Sequence, residues 1–129
     1  MNRHPDDRIY FADNGPWGAY SQRDMARWAT LDHKGSLAVR VLFAALGRHG
    51  RTGHAPFGVG ELARILGSAD RDTGRLAPAR KDTVSKAIGA AKRQDYVTSE
   101  SNARCLVLSQ AIFQRASGAK TPCRVHPPD

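Results

Sequence analysis

Between Ser36 and Leu46 the apolar positions Leu37, Val41, Leu42, Ala45 and Leu46 fall on one helical face, which Val39, Phe43 and Ala44 widen. This spacing predicts a helix buried on most sides, opened by Ser36 and closed by Gly47 and Gly50 through the left-handed conformation glycine adopts cheaply. Upstream, Ser21 to Leu31 predicts a shorter helix with Met25, Trp28 and Leu31 turned inward. Downstream, Leu62, Ala63, Ile65 and Leu66 form the inward set of a helix over 58–66 that stops at Gly67. From Thr83 to Gln94 the apolar stripe is Val84, Ala87, Ile88 and Ala91, with Asp82 or Thr83 offering an oxygen to the first turn. Tyr96–Glu100 and Arg104–Ser109 read as two strands around a turn of Ser101, Asn102 and Ala103. Ala55-Pro56-Phe57 predicts a very short edge strand against that hairpin.

The face opposite the stripe of the 83–94 helix carries Ser85, Lys86, Gly89, Ala90, Lys92 and Arg93. Small residues allow close approach to another surface, while cationic and hydroxyl groups reach phosphates and base edges. A formal charge of +8 over 129 residues and a pI near 10.2 extend the same preference to the whole surface, which attracts polyanions. No apolar run approaches the roughly 20 residues a membrane span requires, and no charged-then-apolar leader opens the chain. With two cysteines the chain is no disulfide scaffold, and a reducing cytoplasm is the expected location.

GVGELARILG (58–67) followed by DTVSKAIGAAKRQDYV (82–97) resembles the pattern of winged helix-turn-helix proteins. There, a helix bearing Glu-Leu-Ala leads into a recognition helix of the type Thr-Val-Ser-Lys-Ala-Ile and then a hydrophobic strand. The part from Trp28 to GHAPF is similar to the N-terminal helices of helix-turn-helix proteins of actinobacterial phages and mobile elements. The resemblance covers residues 24–110 and implies an α+β, mainly helical winged fold with an N-terminal helical extension that binds double-stranded DNA. One departure is large: the family joins its two helices by three or four residues, whereas residues 68–80 intervene here, an exposed polar loop with Arg71, Arg75 and Arg80.

The organisation expected is an irregular arm (1–20), the winged domain (21–113) and a flexible tail (114–129). Ser85, Lys86, Gly89 and Ala90 are expected nearest the bases, with Arg80, Lys81, Thr83, Lys92 and Arg93 nearer phosphates. Ser101, Asn102 and Arg104 would form the wing. A transcriptional regulator is the first functional reading. A phage or plasmid replication initiator, a protein-interaction module with a basic face and a small nuclease are the alternatives. A homodimer would use the N-terminal aromatics or Ile112-Phe113.

Enzyme motifs are missing: Gly118-Ala119-Lys120-Thr121 lacks the leading glycine of a phosphate loop, and Asp70-x-Asp72 lacks the remaining oxygens of a calcium loop. No catalytic residue and no cofactor are assigned. Cys123-x-x-His126 has half of a zinc spacing that Cys105 and His54 could complete. A single sequence does not show that the four converge, so two inert cysteines, with Cys105 buried in its strand, and solvent-exposed histidines (His4, His33, His49, His54, His126) are the expectation.

Overall fold

The computed structural model describes residues 18–30, 36–70, 72–113 and 125–126. The elements over these residues are helices α1 (Gln22–Trp28), α2 (Leu37–Leu46), α3 (Glu61–Ile65) and α4 (Lys81–Arg93), and strands β1 (His54–Pro56), β2 (Ser68–Ala69), β3 (Leu76–Ala77) and β4 (Cys105–Val107). The result is a small α+β arrangement in which α2 packs against both α1 and α4. Val41, Leu62, Val97 and Leu106 are fully enclosed at its centre.

The Ser36 hydroxyl accepts from Val39 N at 3.3 Å and opens α2 as expected, and Ser21 does the same for α1 through Asp24 N. The exit of α2 differs from expectation. Gly47 is right-handed, with φ of −75°. A Cβ there would lie 2.5 Å from the backbone nitrogen of Ala26, so this glycine serves the close approach of α1 to α2. Met25 and Ala29 are buried beneath that crossing, while Trp28 stays partly exposed and meets the Phe43 ring edge-on at 5.6 Å. Leu31 lies outside the described residues.

Arg40 is buried on α2, a position the apolar periodicity had passed over. Its Nε donates to Ala29 O at 2.9 Å, and one terminal nitrogen donates to Ile65 O and Gly67 O at 2.9 and 3.2 Å. These carbonyls close α1 and α3, where the helix dipole favours a cation. Burial pulls the Arg40 pKa below its usual value.

Helix α3 is shorter than the predicted 58–66, because Gly60 takes a left-handed φ of 72° and the chain turns helical only at Glu61. The segment after it is an ordered antiparallel ribbon rather than a plain loop, with Ser68 opposite Ala77 and Ala69 opposite Leu76. Asp70 builds its turn, the carboxylate accepting from Asp72 N at 2.7 Å and Thr73 N at 3.0 Å. Gly67 admits the ribbon, since a Cβ would meet Ala77 O at 2.4 Å.

Helix α4 starts two residues earlier than predicted, and neither Asp82 nor Thr83 caps it. Ala79 N donates to Ala63 O at 2.8 Å, which pins the chain to α3. Arg80 is then the extended residue before the first turn, with no side-chain cap. Asp82 falls inside that turn, where an acid suits the dipole. The exit uses Asp95 at a φ of 60°, with Tyr96 N donating to Ala91 O at 3.0 Å.

The strand predicted over 96–100 is reduced to a single bridge between Val97 and Leu108. Its place as partner of β4 is taken by β1, the expected edge strand, in the antiparallel register His54 to Val107, Ala55 to Leu106 and Pro56 to Cys105. Ile112 and Phe113 are half-buried and pack against the core. No helix among the described residues is long and apolar enough to cross a membrane.

Candidate nucleic-acid interface

At about 100° per residue, Lys81, Asp82, Ser85, Lys86, Gly89, Lys92 and Arg93 of α4 fall within an arc of roughly 140°. Val84, Ala87, Ile88 and Ala91, all buried, occupy the opposite side. Lys81, Ser85, Lys86 and Arg93 are exposed, and Lys92 is half-buried. Arg93 folds back along the helix, bringing a guanidinium nitrogen to 3.5 Å from where a Gly89 Cβ would be. Thr83 and Ala90 fall about 40 to 60° outside the arc and are half-buried, which makes them flanking rather than central positions. The ion pairs among the described residues, Arg27 with Asp24 and Arg48 with Glu61, involve none of the cations of α4. Asp82 is the one acid on this face.

The turn after α4 differs from the expected wing in detail. Ser101 is buried, its hydroxyl accepting from Val107 N at 2.9 Å, so it supports the turn from inside and is not a surface contact. Asn102 is exposed, but its Oδ1 accepts from Arg104 N at 2.9 Å and Cys105 N at 3.1 Å. Asn102 and Cys105 form a bridge that leaves Ala103 and Arg104 at the tip. Arg104 is exposed at the tip while its Nε donates to Phe57 O at 2.9 Å, which holds the turn against the end of β1.

One further cation borders this surface and was not singled out by sequence. Arg64 stands on the exposed side of α3, opposite Leu62, and was legible as the polar member of that amphipathic stretch. Together with Lys81, Ser85, Leu76 and Ala103 it lines an open groove of about 740 Å³ between the β2–β3 ribbon and α4. Arg75, on the ribbon, is exposed, and Arg80 is exposed just before α4. Arg71 lies outside the described residues.

Away from this face the structure draws together three of the four zinc candidates. One donor atom from each of His54, Cys105 and His126 lies within 4.8 Å of the others. Cys123 lies outside the described residues, as do His4 and His33. The expected solvent exposure of the remaining histidines is not seen: His49, His54 and His126 are half-buried, and the His49 ring lies 4.4 Å from that of Phe113 and bonds the Tyr20 hydroxyl. Of the expected flexible tail, Val125 and His126 are described, and His126 is anchored through its bond to Glu100 O.

Comparison with protein-family models, with curated proteins and with solved structures found no match to this chain.

Proposed function

We propose that the chain binds double-stranded DNA as a winged helix-turn-helix protein, with α4 entering the major groove and the turn carrying Ala103 and Arg104 acting as the wing. The observation that carries this reading is the outward face of α4, which offers Lys81, Lys86, Lys92 and Arg93 without ion-pair partners among the described residues. Those side chains suit phosphates, Ser85 suits base edges, as does Gly89 once the Arg93 guanidinium swings away to a phosphate, and Asp82 suits the amino group of cytosine. Arg75 of the ribbon and Arg104 of the wing would extend the contact along the flanking backbone. A transcriptional regulator is the role we assign to this surface, with a phage or plasmid replication initiator as the alternative.

A genome-fragment binding selection at near-physiological salt, followed by a salt titration on the best site, tests the reading. Recovery of one motif bound about a thousandfold more tightly than bulk DNA supports it. Lys86→Ala with Arg93→Ala removes two phosphate contacts and should lower the log–log salt slope by about 1.8. An unchanged slope would remove α4 from the interface, and uniform recovery of fragments would leave only an electrostatic patch.

A further inference from the structure

We propose that His54, Cys105 and His126 form a zinc-binding site. Two imidazoles and a thiol are the donor set zinc favours, and soft sulfur with imidazole selects against magnesium and calcium. The sheet register builds half of it. His54 pairs with Val107 and Pro56 with Cys105, so His54 and Cys105 are diagonal neighbours on one face of the β1–β4 pair. Their Nδ1 and Sγ atoms are 3.5 Å apart. Zinc–nitrogen and zinc–sulfur bonds of about 2.05 and 2.3 Å at a tetrahedral angle span about 3.6 Å, which is the separation already present. The widest separation in the trio, no more than 4.8 Å, closes to a tetrahedral edge by about 1 Å of side-chain movement.

His126 brings the third donor from the far end of the chain. Its Nε2 lies 2.7 Å from Glu100 O, and a carbonyl only accepts, so Nε2 carries the proton and Nδ1 keeps its lone pair. A ring nitrogen donating to a backbone carbonyl while the other faces the metal is the usual way a zinc histidine is oriented. The two histidine rings stand edge to face at 5.1 Å and 72°, and a donor nitrogen of each lies within 4.8 Å of the other. The ion would tie His126 to β1 and β4 immediately beside the turn that bears Ala103 and Arg104.

The full chain, stripped with a chelator, is titrated with zinc against a chromophoric competitor and separately with cobalt. The expected result is one zinc per chain with a dissociation constant of about 1 µM or tighter. Cobalt should give a tetrahedral visible spectrum with a thiolate charge-transfer band. His126→Ala, remote from the packed core, and Cys105→Ala should each weaken zinc at least about a hundredfold. Circular dichroism of the stripped variants separates loss of a ligand from loss of the fold. Binding weaker than about 100 µM, a cobalt complex without the thiolate band, or a folded His126→Ala chain that binds zinc like the parent would each overturn the proposal.

Discussion

Replacing Arg40 with methionine is the perturbation that best tests how this domain is held together. The guanidinium satisfies three carbonyls at once, those of Ala29, Ile65 and Gly67, at 2.9 to 3.2 Å. Methionine keeps the stem volume and removes every donor. Each buried carbonyl left without a partner costs about 1 kcal/mol, giving about 3 kcal/mol for the set. Against this, methionine relieves the burial of a charge, the same penalty that lowers the pKa of Arg40, and returns roughly 1 kcal/mol. The net loss is about 2 kcal/mol, a large fraction of the stability of a small domain. Lysine, whose ammonium cannot span carbonyls from both α1 and α3, should recover less than half of it. Urea unfolding followed by circular dichroism gives the value, with the slope of the transition checking that the unfolded states match. A methionine variant within about 0.5 kcal/mol of the parent, at unchanged slope, would refute the view that one cation joins these helix ends.

Other expectations follow from single contacts. The Glu61 carboxyl is held at about 2 by the Arg48 guanidinium and by Gly58 N, below its usual 4.5. Its contribution is therefore complete above about pH 4.5 and is lost as pH falls toward 2; solvent screening limits it to about 1 kcal/mol, read as a parent-minus-Glu61→Gln difference that vanishes at low pH. Gly47→Ala should cost about 2 kcal/mol in the same unfolding assay, since its Cβ meets Ala26 backbone at 2.5 Å and not a movable side chain. Asp82→Ala removes the acid from the α4 face and should tighten binding to bulk DNA several-fold at low salt, measured by fluorescence anisotropy, while adding about 1 to the salt slope would not be expected. Ser101→Ala should destabilise the chain by about 1 to 2 kcal/mol, through the unpaired Val107 N, without changing that slope.

The parts legible in sequence are those governed by local pattern. The stripe of Val84, Ala87, Ile88 and Ala91 becomes the buried side of α4, and Ser36 caps α2, because periodicity and capping act within a few residues. The edge strand at 54–56 was legible from its apolar-proline composition between turn residues. What escaped was set by distant segments. Asp82 and Thr83 have capping chemistry, yet the bond from Ala79 to Ala63 moves the start of α4 ahead of them. Ser101 looks like a turn residue in sequence, but its hydroxyl serves Val107 inside the turn. Arg40 interrupts an apolar run as an exposed cation would, and only the convergence of two helix ends makes it internal. The ribbon was hidden because Ser68-Ala69 and Leu76-Ala77 are too short and too exposed to show strand alternation.

That ribbon is also the most separable piece of the chain. Ser68 and Ala77 are register partners at its base, so the path leaves α3 and returns to almost the same place before entering α4. A two-residue turn joined at that base would bridge the same gap with neither helix displaced. Conversely, the exposed tip at Gly74, where an added Cβ would meet nothing within 4 Å, can carry a longer excursion at small entropic cost. The length of this connector can thus drift between related chains, or be set by an engineer who fuses a reporter there, without either helix registering the change.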